Sequence, residues 1–216
     1  MKTALRTIVI ALVILNLPGL ANAVTIWDDD RAGVTATVTV GPSFSILSQD
    51  IVTPDGEYST SSGGRMGLFL SGRAGFAPNH RWAFHGVGQV SFYSVHSTWG
   101  EEVFIIDSFL GAGFSYFFGE EPGSWYAAIE GGLTTWQAQS DILTMKWTKP
   151  ADPWTSPAVV VSMGYEVHPH YVLEGSVCFA KPSGDWREYD VVGTWRDLDV
   201  TTNITSARLS IGYTWY

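Results

Sequence analysis

Apolar and polar residues alternate at a period of two along most of the 216-residue chain, which is the signature of strands rather than helices. In residues 33–47 the even positions are Val34, Ala36, Val38, Val40, Pro42, Phe44 and Ile46. The odd positions between them are Thr, Ser and Gly. Seven further segments follow, with apolar faces within 66–76, 82–92, 104–118, 125–133, 159–167, 171–179 and 207–215. Inside these spans the ionisable side chains are Arg73, His85, Asp107, Glu130, Glu166, Glu174 and Arg208, and every one falls on the parity opposite the apolar set. One face of every strand therefore meets something that tolerates no charge. The pattern predicts an all-β fold, an eight-stranded antiparallel up-and-down barrel crossing a membrane.

The connections alternate in length. Residues 77–80, 119–124 and 168–170 are short, whereas 48–65, 95–102, 138–157 and 180–203 are long. Membrane barrels have short periplasmic turns and longer extracellular loops. Beside the short turns, on the uncharged parity, stand Phe76, Trp82, Phe118, Trp125, Tyr165, Tyr171, Tyr213 and Trp215. Amphipathic rings gathered at one depth predict a periplasmic aromatic girdle.

Composition sharpens this reading. Charged residues are 15% and aromatic residues 14%, with ten Trp and 23 Gly, an unusual balance for a soluble enzyme. Residues 1–23 read as a signal peptide: Lys2 and Arg6, an apolar run over 7–17, and Ala21-Asn22-Ala23 before the cut. Residues 24–32 are then an N-terminal periplasmic segment and 33–216 the barrel. Losing Lys2 and Arg6 takes the net charge from −9 to −11, which argues against a nucleic-acid partner. The lone Cys178 excludes an internal disulfide and a Cys-rich metal site, and no cofactor is expected.

The tail Leu209-Ser210-Ile211-Gly212-Tyr213-Thr214-Trp215-Tyr216, together with the pattern from Gly33 onward, resembles the small eight-stranded outer-membrane barrels of Gram-negative bacteria, the OmpA-transmembrane and OmpX-like class. That resemblance implies a monomer in the cell outer membrane, surrounded by lipid and lipopolysaccharide. It also implies recognition of the last strand by the barrel assembly machinery. In the class the terminal aromatic is usually Phe; here Trp215 matches it, with Tyr216 one residue beyond. The opposite register would turn Arg208 towards lipid, at roughly 2–4 kcal/mol near the midplane.

Candidate chemistry is sparse. Charges inside a narrow barrel must pair, so Arg73 and Arg208 are expected to neutralise some of Asp107, Glu130, Glu166 and Glu174. His85 or water balances the rest. His96-Ser97 invites comparison with lipid-A-modifying barrel enzymes, but adjacent residues of a strand face opposite ways and no orienting acid is evident. Gly193-Thr194-Trp195 and Gly123-Ser124-Trp125 resemble the Gly-x-Trp element of soluble lipocalins, whose barrels carry the apolar face inward. The acidic, Trp-rich last loop, with Asp185, Glu188, Asp190, Asp197 and Asp199 beside Trp186 and Trp195, lacks calcium-loop spacing. The function expected is non-enzymatic, structural or surface-binding, through long loops that meet an extracellular ligand.

Overall fold

The computed structural model describes residues 31–53, 56–96, 102–121, 123–139, 153–168, 170–189 and 195–216. They form nine strands: β1 (Gly33–Thr53), β2 (Gly56–Asn79), β3 (Trp82–His96), β4 (Glu102–Phe117), β5 (Trp125–Gln139), β6 (Trp154–His168), β7 (Tyr171–Ala180), β8 (Ser183–Tyr189) and β9 (Trp195–Trp215). β1 to β7 pair in chain order, β9 pairs β7, and β1 pairs β9 to close the wall.

The ninth element leaves the expected eight-stranded barrel intact. β7 and β8 both pair β9 in one register, Ala180 opposite Ile204 and Ser183 opposite Thr201. They are one strand interrupted at Lys181-Pro182. Proline has no N–H to give to a ladder, although its carbonyl still accepts from the Thr202 amide at 2.8 Å. Eight walls remain.

Their stagger can be read from the registers. A row of partners starting at Val34 runs through Phe76, Phe84, Phe114, Ile129, Val161, Val177 and Ala207 and returns to β1 at Phe44. The return is ten residues higher, a shear of ten. For eight strands that sets a tilt of roughly 40°.

The apolar parity points out. Val34, Phe44, Leu68, Leu110, Ile129, Met163, Leu173 and Ile211 are all exposed, while Arg73, His85, Asp107, Glu130, Glu166, Glu174 and Arg208 are buried inside. An uncharged band facing outward is what hydrocarbon requires and what water would not select. A lipocalin-like barrel needs the reverse, so that alternative is overturned. The last strand takes the register in which Leu209 and Ile211 face out and Arg208 and Tyr216 face in.

Two of the expected long loops are largely strand. β1 continues to Thr53 and β2 starts at Gly56, so most of 48–65 is ladder. Likewise 183–189 pairs with 195–201 within the expected loop 180–203. Ser48, Asp50, Ser59, Ser61 and Thr201 lie on their outward face, whereas Ile51 and Val200 lie on the inward one, so the outward apolar parity ends where these stretches stand above the hydrocarbon. Together β8, β9, β1 and β2 form a four-stranded extension of the wall, with rows Ser183–Thr201–Asp50–Ser59 and Gly184–Val200–Ile51–Tyr58.

Cys178 packs inside against Val160, Phe109 and Val87. Maleimide labelling of the folded barrel in detergent should be slower than in denaturant by on the order of a hundredfold or more. Equal rates would contradict this packing.

Candidate functional site

The lumen is filled in layers. At the short-turn end lies a residue that sequence reasoning left without a role. Arg31, just ahead of β1, is 1% exposed. Its Nε and Nη2 donate to the Glu166 carboxylate at 3.2 and 2.5 Å. Its Nη1 donates to the carbonyls of His80 and Gly119 at 2.9 and 2.8 Å, and Nη2 also to the Glu121 carbonyl at 2.6 Å and Ser124 Oγ at 3.1 Å. The guanidinium lies over the Phe117 ring, 4.4 Å from its centroid. A planar fork with five donors is the side chain suited to so many acceptors in one plane. The Tyr216 hydroxyl also donates to Glu166. One side chain thus ties the segment before β1 to the β2–β3 turn, the β4–β5 turn and β6.

Above it is a belt centred on Arg73. Its Nε donates to Glu130 at 2.5 Å, Nη1 and Nη2 hold Glu174, and Nη2 reaches Ser162 Oγ at 3.3 Å. Glu130 also meets His85 Nε2 at 3.2 Å and accepts from Gln89 Nε2 at 2.9 Å. Glu174 accepts from the Tyr126 hydroxyl at 2.7 Å. Tyr126 reaches it across Gly164, where a Cβ would sit 2.4 Å from the ring. Between the Arg31 cluster and the belt lies a cavity of about 40 Å³, lined by Thr35, Thr37, His85 and Thr214 together with Ala77, Ala83 and Val172. It has room for roughly three water molecules.

Higher still, Arg208 crosses the lumen over the Phe69 ring at 4.7 Å. It donates to Gln89 Oε1 and approaches Asp107 at 3.8 Å. Asp107 accepts from Thr134 Oγ1 at 2.7 Å. This is a looser pairing than the belt. The open end is then capped by an apolar layer of Leu47, Tyr93, Ile105, Trp136, Trp154, Val200 and Ile204. Trp136 and Trp154 stack at 5.0 Å, and Trp136 Nε1 donates to the Tyr93 hydroxyl at 3.1 Å. Trp154 fits because Gly184 faces it, where a Cβ would lie 2.1 Å from the indole.

Each sequence-predicted site residue can now be placed. All seven interior ionisable groups line the lumen, Arg73 with Glu130 and Glu174, His85 with Glu130, and Arg208 beside Asp107. Glu166 is taken by neither of the two expected arginines but by Arg31. The interior therefore holds three arginines and His85 against four carboxylates. The lumen is not filled by these polar groups alone: besides the cap, Val87, Phe109, Val160 and Cys178 form an apolar layer at mid-height. The eight girdle residues pack against each other or other aromatics in several places: Trp125 on Tyr165 at 5.1 Å, Tyr171 on Tyr213 at 5.3 Å, Tyr213 on Trp215 at 4.8 Å, Trp82 on Tyr116 at 4.8 Å, and Tyr116 on Phe118 at 5.5 Å. Phe76 is outward and exposed at the same turn as Trp82. Among the described residues no group of three or more metal-ligating side chains comes together. Residues 1–23, the His96 side chain, Ser97 and Gly193 to Thr194 lie outside what the structure describes.

No family model and no curated protein matches the chain. Solved structures do. OprG, an outer-membrane protein of Pseudomonas aeruginosa, superimposes with a TM-score of 0.56 at 12% identity, over 87% of this chain and 98% of that one. Ail, the attachment invasion locus protein of Yersinia pestis, solved with the heparin analogue sucrose octasulfate, gives 0.46 at 17%, over 85% and 99%. The outer membrane protease OmpT of Escherichia coli gives 0.42 at 11%, over 86% and 97%. At such identities the likeness is one of fold, and fold does not fix function. The closed eight-walled barrel, its charge-free outer face and its aromatic rim make this chain an outer-membrane β-barrel.

Proposed function

We propose that this barrel is a non-enzymatic surface protein that binds an external partner through its strand extension. The observation that carries the reading is the four-stranded continuation of β8, β9, β1 and β2 beyond the rim. It is an ordered platform offered to the outside, standing on a lumen that is blocked at three levels. A filled interior disfavours a pore and gives a substrate no way in. Exposed segments held by a rigid scaffold are where binding resides on such folds.

The test compares cells carrying the full chain with cells carrying a variant trimmed by removing 50–60, both checked for barrel formation by heat-modifiable gel mobility. Adhesion to arrays of immobilised proteins and glycans should fall at least about tenfold for the trimmed variant. Equal adhesion would remove the extension as the binding element. Mass spectrometry of lipid A tests the rival class: a changed acyl pattern that disappears with Ser97→Ala would replace this reading with a lipid-modifying enzyme. In planar bilayers the full chain should give no large steady conductance.

A further inference from the structure

Three arginines lie inside the barrel, and two of them are saturated. Every nitrogen of Arg31 and Arg73 donates to an oxygen. Arg208 is different. Its Nη1 donates to Gln89, but Nη2 stands 3.8 Å from Asp107 and the buried Nε has no partner among the described residues. Four groups beside it share that condition. Ser43 on β1 and Ser176 on β7 stand directly opposite Arg208 in the ladder, and both hydroxyls are buried without a partner. So are Asp107 Oδ2 and the hydroxyl of Ser91, its direct opposite on β3. These five residues are 0–5% exposed. Buried polar groups are ordinarily paired, so five orphaned ones around a single side chain point to a common cause.

The five divide into two sets. Nε, Ser43 and Ser176 offer N–H and O–H donors around a positive charge, which calls for an anionic acceptor. Asp107 and Ser91 are two oxygens facing each other, and one added proton between them satisfies both. The wall beside Arg208 leaves space, because the next inward residues on β1 and β9 are Gly41, Ser45, Ser206 and Ser210. Ser45 and Ser206 pair with each other at 2.7 Å, so they do not compete for Nε.

From this arrangement we infer that the lumen binds a halide ion together with a proton. The halide sits beside Arg208 Nε, between the hydroxyls of Ser43 and Ser176. The proton goes to Asp107 Oδ2, which then donates to Ser91 Oγ. Ion and proton enter as a neutral pair, so Arg208 keeps a counter-ion while Asp107 gives up its loose pairing. A small spherical acceptor suits donors arriving from three strands, and a filled eight-stranded lumen has no way in for a large one.

Urea unfolding of the full chain in detergent micelles tests this, compared at equal ionic strength in sodium bromide and sodium gluconate. Ligand bound only by the folded state raises the midpoint, here by at least about 0.5 M urea at pH 5 and saturating bromide. The double variant Ser43→Ala/Ser176→Ala, with heat-modifiable mobility retained, should show no such rise, and it also reports the general effect of the salt. Because a proton accompanies the ion, apparent halide affinity should fall about tenfold per unit from pH 5 to 7.5. Tyr93 on β3 and Cys178 on β7, the other titratable groups facing this pair, ordinarily ionise above that range. Glu130 on β5 is held by Arg73 and His85, and titration of His85 acts in both salts alike. Asp107→Asn, whose amide donates to Ser91 without an added proton, should keep the rise and lose its dependence on pH. Equal midpoints in the two salts, or an equal rise in the double variant, would overturn the site and leave internal water as the partner of these groups. A rise in the unaltered chain that ignores pH would overturn the joint uptake.

Discussion

Replacing Arg31 by alanine is expected to lower the urea unfolding midpoint more than any single change at the outward face. The substitution strips Glu166 of its bidentate partner and leaves that carboxylate buried with the Tyr216 hydroxyl. Removing one partner of a buried pair costs about 3–5 kcal/mol, because the remaining charge stays desolvated. Carbonyls of two turns lose their donor at the same time. With a denaturant slope of about 1–3 kcal/mol per molar urea, the midpoint should fall by roughly 1–5 M. Arg31→Lys should recover little, since an ammonium cannot span acceptors fanned around a planar fork. Combining Arg31→Ala with Glu166→Gln should recover part of the loss. An unchanged midpoint for Arg31→Ala would show that the latch contributes nothing.

Arg73→Ala is the second large effect, and it acts on two carboxylates at once. Glu130 would keep His85 and Gln89, whereas Glu174 would keep only Tyr126. The asymmetry makes a specific expectation. Adding Glu174→Gln to Arg73→Ala should restore more stability than adding Glu130→Gln. Adding both should bring the barrel within roughly 1–2 kcal/mol of the original, as neutral replacement of buried ion networks usually does. The measurement is the same urea titration followed by tryptophan fluorescence. Equal rescue by either glutamine would mean that His85 does not support Glu130.

Much of this architecture is legible in the chain, and the reason is lipid. Hydrocarbon enforces a strict outward parity from Val34 to Ile46 and from Leu209 to Trp215, so a period of two survives every local preference. The strand extension is not legible because its outward face is no longer apolar, while Leu47, Ile51 and Val200 turn inward onto the cap. With Asp50, Ser59 and Thr201 outward, the apolar parity that marks the strands below is lost. Arg31 was hidden for a different reason. It is one charge in a polar stretch, and only the closed barrel brings the two turns and β6 around it. The apolar cap did leave a trace. Tyr93, Ile105 and Trp136 occupy the charged parity at the far ends of their strands, where an inward ring of large side chains reads as a plug.

The seam between β1 and β9 poses a counting problem that the latch resolves. A slip of two residues keeps every side chain on its proper face, so the inside–outside pattern tolerates shears of eight, ten or twelve alike. What separates them is a small set of inward contacts with fixed reach. Only at ten does Arg208 of β9 arrive beside Gln89 of β3 while Arg31, ahead of β1, arrives at Glu166 of β6. A two-residue slip of β1 against β9 moves both by about 6–7 Å and breaks both together. Tyr216, at the end of β9, holds that same carboxylate, so the segments flanking β1 and β9 meet at one residue of β6. In this sense Glu166 is the notch of a ruler. It measures whether the cylinder has closed to its proper circumference.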